Sequence, residues 1–398
     1  MTAAQSLLPW AGKFRKELDE NIIPFWLKHA LDREFGGYFS CLDRDGSVYD
    51  DRKYLWLQGR FTWMFARLWN QWAAKPEYLD AAKLGASFLR AHAFDARGRV
   101  WFSLDREGRP LFFQRKVYPG VFVDLGLLEY SLAAGDDGFR RAATDLFWRI
   151  HAWLENPALI DRPLLEGQIP MSNLANAMVR AGLAIEFAQV DSDPRFREVL
   201  RDCIPAILRH YDPVHRVFRE NVALDGRSLA ALPEGRLFNP GHSIEVAWFL
   251  LHLLEFYPDD GARKTAFDAL EGSLELGWDR EYGGLFYFMD LEGKPLFQIE
   301  HAMKLWWPHT EALYALVLAL LEEGPARWRA WFEKVVDYTW MHFPDPEYGH
   351  WFGYLDREGR VASACKGNHY KGFFHTPRAL MMSVQRIEAA ARKMSSSP

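Results

Sequence analysis

Glu34-Phe-Gly-Gly-Tyr-Phe-Ser-Cys-Leu-Asp-Arg-Asp-Gly46 returns as Glu281-Tyr-Gly-Gly-Leu-Phe-Tyr-Phe-Met-Asp-Leu-Glu-Gly293, and again as Glu347-Tyr-Gly-His-Trp-Phe-Gly-Tyr-Leu-Asp-Arg-Glu-Gly359. Weaker copies run from Gly98 to Gly108 and from His215 to Gly226. Each alternates aromatic and small residues and closes on a turn of the Asp-x-x-Gly kind, which predicts a short strand entering a hairpin. Between the phrases the period becomes helical, over 10–33, 54–73, 77–93, 119–134, 138–154, 171–189, 193–210, 242–256, 261–277, 302–322, 326–342 and 371–392. Taken in pairs these make six units of roughly 58 to 69 residues, each a helix, an aromatic connector and a second helix. The second helix is the more apolar, as in Ala312-Leu-Tyr-Ala-Leu-Val-Leu-Ala-Leu-Leu321, while the first carries more charge, as in Arg263-Lys-Thr-Ala-Phe-Asp-Ala-Leu-Glu271. A helix apolar all round belongs inside and an amphipathic one faces water. Six inner and six outer helices predict an all-α fold, an (α/α)6 barrel or toroid of twelve helices with short β-hairpin connectors. An open helical solenoid is the alternative, but nearly six repeats in a chain of this length fit closure better. Length alone suggests two or three domains. The repeat reduces that to one catalytic domain over 1–398.

Composition narrows the function. A net charge of −5 with no block of Lys or Arg argues against nucleic-acid binding, which needs a basic footprint. The chain holds 17 Trp, 29 Phe and 15 Tyr. Indole-rich chains often handle sugars or apolar ligands by ring stacking. Three scattered cysteines, Cys41, Cys203 and Cys365, make neither a disulfide framework nor a zinc site. The N-terminus shows no secretory pattern, and the longest apolar run, Ala312 to Leu321, falls far short of a membrane span. These features read as a soluble, cytoplasmic protein that does not engage a membrane.

The starts of the inner helices carry polar residues: Gln58-Gly-Arg60, Asn173-Leu-Ala-Asn176, His242-Ser-Ile-Glu245, His309-Thr-Glu311 and His375-Thr-Pro-Arg378. In a toroid those ends converge at one mouth, so Arg60, Asn176, His242, Glu245, Glu311 and His375 are expected to face one cavity. Each also has a plain structural reading. A histidine at a helix start is often a cap, Arg60 can bridge to Glu311 or Glu245, and His242 with Glu245 can be a local i, i+3 pair. Trp306 and Trp307 are either core or the floor of a sugar pocket. Recurrence of a polar group at one position in five of six repeats favours a site, since burying an unpaired charge costs several kcal/mol.

The chemistry present suits proton transfer. An imidazole can take a carbon-bound proton and return it near neutral pH, and an arginine can hold the oxyanion that develops. A metal site at His242, Glu245 and His375 is conceivable, but no His-Glu-x-x-His or comparable spacing occurs, so no metal is expected. The pairs Gly36-Gly37 and Gly283-Gly284 lack phosphate-loop patterns and read as turns.

At these residues the chain resembles the N-acylglucosamine 2-epimerase family. The runs that carry the likeness are Val48-Tyr-Asp-Asp-Arg-Lys-Tyr-Leu-Trp-Leu-Gln-Gly-Arg60, Asn239-Pro-Gly-His-Ser-Ile-Glu-Val-Ala-Trp-Phe-Leu-Leu251, Trp278-Asp-Arg-Glu-Tyr-Gly-Gly-Leu-Phe-Tyr-Phe288, Ala302-Met-Lys-Leu-Trp-Trp-Pro-His-Thr-Glu-Ala312 and Lys371-Gly-Phe-Phe-His-Thr-Pro-Arg378. The resemblance implies an (α/α)6 barrel and interconversion of N-acetylglucosamine and N-acetylmannosamine by inversion at C2. It puts catalytic roles on His242, His375, Arg60 and Glu311, and substrate binding on Glu245, Asn176, Trp306 and Tyr54. It further implies that no cofactor is required, that ATP is an allosteric activator rather than a reactant, and that the enzyme is a homodimer acting on a small-molecule sugar.

Two departures stand out. Gln168 to Asn176 does not follow the corresponding run of animal members, and Asn176 lies near a position where cellobiose 2-epimerases and mannose-type isomerases carry histidine. Phe373 replaces a cysteine of the animal members. The substrate is accordingly open between an N-acetylated sugar and a free hexose. Rival readings are an aldose–ketose isomerase on free mannose or a similar hexose, a glycoside hydrolase using Glu245 and Glu311, and a non-catalytic binder.

Overall fold

In the computed structural model, which describes residues 2–395, the chain runs in helical pairs from end to end. Helix α1 (Ala3–Lys16) continues through a π-helical turn, Glu17–Ile22, into α2 (Ile23–His29). There follow α3 (Leu55–Gln71), α4 (Pro76–His92), α5 (Tyr118–Ala134), α6 (Asp137–Glu155), α7 (Leu174–Val190), α8 (Pro194–Leu208), the single turn α9 (Pro233–Arg236) and α10 (Pro240–Leu254). The last four are α11 (Asp260–Gly277), α12 (Trp306–Glu322), α13 (Pro325–His342) and α14 (His375–Ser395).

Helices α3, α5, α7, α10, α12 and α14 form the inner ring. In α12 every residue from Trp306 to Leu320 is buried, whereas its outer neighbour α13 buries only one stripe, Trp328, Phe332, Val335, Val336, Tyr338 and Thr339. That division follows from the apolar surround of the one and the amphipathic face of the other. Helices α3 and α5 approach so closely that a Cβ at Gly59 would lie 2.1 Å from the Phe122 carbonyl oxygen. The ring closes where Phe374 meets Trp63 (centroids 5.4 Å apart) and Phe373 meets Phe65 (4.8 Å). The (α/α)6 barrel is thus observed.

Several helix starts differ from expectation. Helices α7, α12 and α14 begin at 174, 306 and 375 rather than 171, 302 and 371. Met171–Asn173 and Lys304–Leu305 are instead strands, paired with Asn221–Ala223 and Tyr354–Leu355. The first helix starts at Ala3, not at 10, under a capping box made by Thr2 and Gln5. Three expected hairpins form: Cys41–Leu42 with Val48–Asp50, Ser103–Leu104 with Pro110–Phe112, and Tyr354–Leu355 with Val361–Ser363. The copies at 281–293 and 215–226 use their turns differently, since Met289–Asp290 pairs back to Leu237–Phe238 and Asn221–Ala223 pairs to the strand before α7. Gly36-Gly37 and Gly283-Gly284 are left-handed turns, with φ of 82° and 71°, and 76° and 74°.

A buried ionic clamp repeats three times beside those turns. Asp32 accepts from Lys53 (2.9 Å) and from Arg106 (3.0 Å), and Arg106 also binds Glu34 (2.9 Å). Asp279 accepts from Lys304 (2.9 Å) and Arg357 (3.0 Å), which also binds Glu281 (3.0 Å). Asp345 accepts from Lys366 (2.6 Å) and Arg44 (2.9 Å), which also binds Glu347 (3.0 Å). Each arginine comes from the hairpin of the following repeat. The third clamp therefore ties the last repeat to the first and locks the ring shut.

Candidate active site

The lumen of the ring is a cavity of about 990 Å³. The strands just described gather at the N-terminal ends of the inner helices, where the helix dipoles present partial positive charge to the mouth. Helix α3 faces the lumen with Trp56, Arg60 and Trp63, and α10 does so with His242, Glu245 and Trp248, at the i, i+3, i+4 spacing of one helix face.

His242 stands in the first turn of α10, under Asn239, whose Oδ1 accepts from the His242 N–H at 3.0 Å. Its Nδ1 is 2.9 Å from Glu220 Oε1. Burial disfavours the imidazolium, but the charge and hydrogen bond of Glu220, with Glu245 behind, outweigh it and raise the His242 pKa. His375 opens α14, and its Nδ1 is 2.7 Å from Glu311 Oε1. Here burial prevails, reinforced by Arg60 and Arg378, and holds the imidazole well below its ordinary value. Trp307 lies between the two rings, 5.1 Å from His242 and 5.7 Å from His375. Gly241 makes that approach feasible, since a Cβ there would meet the indole at 2.6 Å.

Arg378, one turn along α14, bridges two carboxylates: its Nη2 lies 2.6 Å from Glu245 Oε1 and 2.8 Å from Glu311 Oε1. The other oxygen of Glu311 accepts from the Trp248 indole at 3.0 Å. Glu311 therefore sits behind the cavity wall, fully buried, and acts on the lumen through His375. Arg60 is the contrast. No carboxylate is within 4.0 Å of it among the described residues, and its buried Nε has no partner. Its guanidinium is sandwiched between Phe122 (3.9 Å to the centroid), Trp56 (4.9 Å) and Phe374 (4.9 Å). Burial, with Arg378 nearby, pushes its pKa down to about 9. A cation kept buried without a counter-ion is ready for an anionic or carbonyl oxygen.

Of the residues expected here, Arg60, His242, Glu245, Trp306 and His375 line the cavity. Two do not. Asn176 lies off the lumen, because the face of α7 that lines it is Ala175, Met178, Val179 and Gly182, and a residue one step along is rotated about 100° away. The asparagine that reaches the lumen is Asn173, the N-cap of α7. Tyr54 is buried outside the lumen, in the strand before α3, with its hydroxyl 3.4 Å from Asp50 Oδ2. The bridge anticipated from Arg60 to Glu245 or Glu311 is made by Arg378 instead. Glu220 and Arg378 are the site residues that sequence reasoning missed; Arg378 stood inside a quoted run, while nothing in the sequence links Glu220 to His242.

Glu245, Glu311 and His375 offer atoms within 4.8 Å of one another, a set that can hold a metal ion. The Arg378 guanidinium already fills the space between both carboxylates, and the His375 nitrogen that faces them is spent on Glu311. Two glutamates bound to one guanidinium nitrogen also leave no room for a sugar between them, as a glycosidase pair requires.

A family model described as N-acylglucosamine 2-epimerase (GlcNAc 2-epimerase) matches residues 37–379. The N-acylglucosamine 2-epimerase of Bos taurus is 40% identical over 391 residues, covering 96% of this chain and 92% of the relative. That of Mus musculus is 38% identical over 402 residues, covering 99% and 96%. The structure of cellobiose 2-epimerase from Bacillus thermoamylovorans B4167 superposes with a TM-score of 0.81 at 20% identity, covering 95% of this chain and 99% of that one, a likeness of fold.

Proposed function

The chain belongs to the N-acylglucosamine 2-epimerase family, and from that premise we propose that its lumen interconverts N-acetyl-D-glucosamine and N-acetyl-D-mannosamine by inversion at C2. The observation that carries this reading is a pair of imidazoles, each held through Nδ1 by its own carboxylate, facing one cavity with an unpaired arginine.

The sugar enters as its open-chain aldehyde, which acidifies the C2 proton. His375, uncharged, removes that proton through Nε2. The electron pair of the C–H bond passes to the C1 oxygen, and Arg60 holds the resulting enediolate-like oxyanion. His242, charged, delivers its proton to the opposite face of C2. The reverse direction exchanges the two roles. Each turnover leaves His375 protonated and His242 neutral, so solvent resets the pair. No electron leaves the substrate, and no redox cofactor enters the balance. Glu220, Glu311 and Arg378 position the imidazoles, while Trp306 and Trp307 form the floor. On the family resemblance alone, the reading extends to one catalytic domain over the whole chain, ATP as an allosteric activator and a cytoplasmic homodimer. Among the described residues no helix is long and apolar enough to cross a membrane.

The test is a substrate pair. Incubation with N-acetylmannosamine followed by NMR yields N-acetylglucosamine on this reading. Free mannose converted to a ketose, with N-acetylmannosamine untouched, selects the aldose–ketose isomerase instead.

A further inference from the structure

Three repeats hook the chain that follows the double-glycine turn with a residue five positions past the clamp lysine. Gln58 accepts from the Tyr38 N–H at 2.8 Å and donates to the Tyr38 carbonyl at 2.7 Å. His309 accepts from the Leu285 N–H at 2.9 Å. Both hooks are uncharged in function and sit in the first turn of an inner helix.

In the last repeat both halves change. His350 stands where the sister repeats have Gly37 and Gly284, in a left-handed conformation with φ of 54°. At those glycines a Cβ would lie 2.5 Å from its hook or neighbour, Gln58 Oε1 and Tyr338 Cζ respectively. The hook is Lys371. Its Nζ is 2.8 Å from His350 Nε2, 2.8 Å from the Trp351 carbonyl and 2.6 Å from the Lys366 carbonyl. Lys371 is fully buried, has no carboxylate within 4.0 Å among the described residues, and lies 5.7 Å from the centroid of Trp306. His350 Nδ1 is buried without a hydrogen-bond partner among the described residues. Burial pushes the pKa of the Lys371 amine well below its ordinary value, and three partners surround it. The last turn is thus fastened by an amine and a left-handed histidine where the sister repeats use a glutamine or histidine and a glycine.

The sister hooks lie within their helices, whereas Lys371 precedes α14 by four residues and holds an irregular, bent arm, 366–374, that carries Tyr370 and Phe374 to the lumen and ends at His375. Its third contact, to the Lys366 carbonyl, folds that arm on itself, whereas the comparable bond of His309, from Nδ1 to the Leu305 carbonyl at 2.6 Å, stays within a helix start.

We infer that Lys371 is a positioning residue for C2 proton transfer: its three-way hook seats the arm before α14 and the back of Trp306, and so sets His375 against the substrate carbon. This rests on the epimerase reading. Misplacing a reacting group by about 1 Å can cost on the order of a hundredfold in rate.

The test copies the first repeat into the last. The double variant His350→Gly/Lys371→Gln recreates the Gly37–Gln58 pair and is expected to keep the wild-type Tm. Its kcat is expected to fall about tenfold or more while KM stays within about threefold. A folded double variant with wild-type kcat reduces Lys371 to a structural fastening and overturns the inference. Should the double variant not fold, His350→Gly alone removes one contact and relieves a left-handed residue. There a severalfold loss of kcat supports the inference and an unchanged kcat overturns it. Wild-type protein that fails to epimerise N-acetylmannosamine overturns the epimerase reading instead, which keeps the two failures apart.

Discussion

The barrel buries ionic groups in two kinds of place, and they are built differently. In the clamps every charge has its opposite: Asp345, for example, takes Lys366 and Arg44 together, and Arg44 turns its other face to Glu347. Around the lumen the account does not close. Arg378 satisfies Glu245 and Glu311, but Arg60 is left among aromatic rings, and the far nitrogens of His242 and His375 have no hydrogen-bond partner among the described residues. A saturated network holds a shape; an unsaturated one in the same fold waits for something to complete it. The same residue types thus make a fastening in one place and the proposed reaction site in another.

Substitutions break that contrast most sharply at the imidazoles. His242→Ala and His375→Ala are each expected to lower kcat by about a thousandfold with little change in Tm, read by N-acetylmannosamine turnover and a thermal melt. Arg60→Met is expected to cost about 10²- to 10³-fold in kcat while leaving Tm unchanged or higher, because it removes a buried cation that no protein group pairs. Asp345→Ala, in the clamp that closes the ring, reverses the pattern. It strands Lys366 and leaves Arg44 with Glu347 alone, and denaturant unfolding should show a loss of about 3–5 kcal/mol, with kcat of the folded fraction near wild type.

Acid should separate the regions as well. The Asp279 carboxyl is set by burial, which alone would raise its pKa, and by Arg357 and Lys304, which prevail and draw it to about 2. A carboxylate depressed in the folded state contributes stability that is present above its unfolded pKa and lost as pH falls through the folded value. Tm should therefore hold to about pH 4 and decline toward pH 2. Activity should fall on the acid side, below the ordinary imidazole range, as His375 gains a proton, and on the alkaline side, above that range, as His242 loses one. The smallest effects belong to Asn176→Ala and Tyr54→Phe, each expected to change kcat/KM by less than about twofold because neither side chain meets the lumen.

How much of this could be read beforehand follows from the range of the interactions. The helices and their inner or outer placement are written in local periodicity, so the barrel was legible. His242 and His375 were legible because each heads an inner helix. The clamps were not: the phrase Asp-x-Glu-Phe/Tyr-Gly recurs at 32, 279 and 345, but each aspartate finds its arginine in the next repeat, and no spacing declares the pair. Glu220 was hidden for the same reason, reaching His242 from the segment between two strands. Asn176 misled by one helical step, since the polar residue at the start of α7 that reaches the lumen is the N-cap.

The central claim is that two imidazoles work on opposite faces of C2. Single variants His242→Asn and His375→Asn, incubated in D2O with each epimer and followed at C2 by proton NMR, test it directly. Each variant is expected to lose epimerisation but still to wash deuterium into one epimer without inversion, and the two variants to select different epimers. Exchange of the same epimer by both variants, or inversion surviving in either, would contradict it.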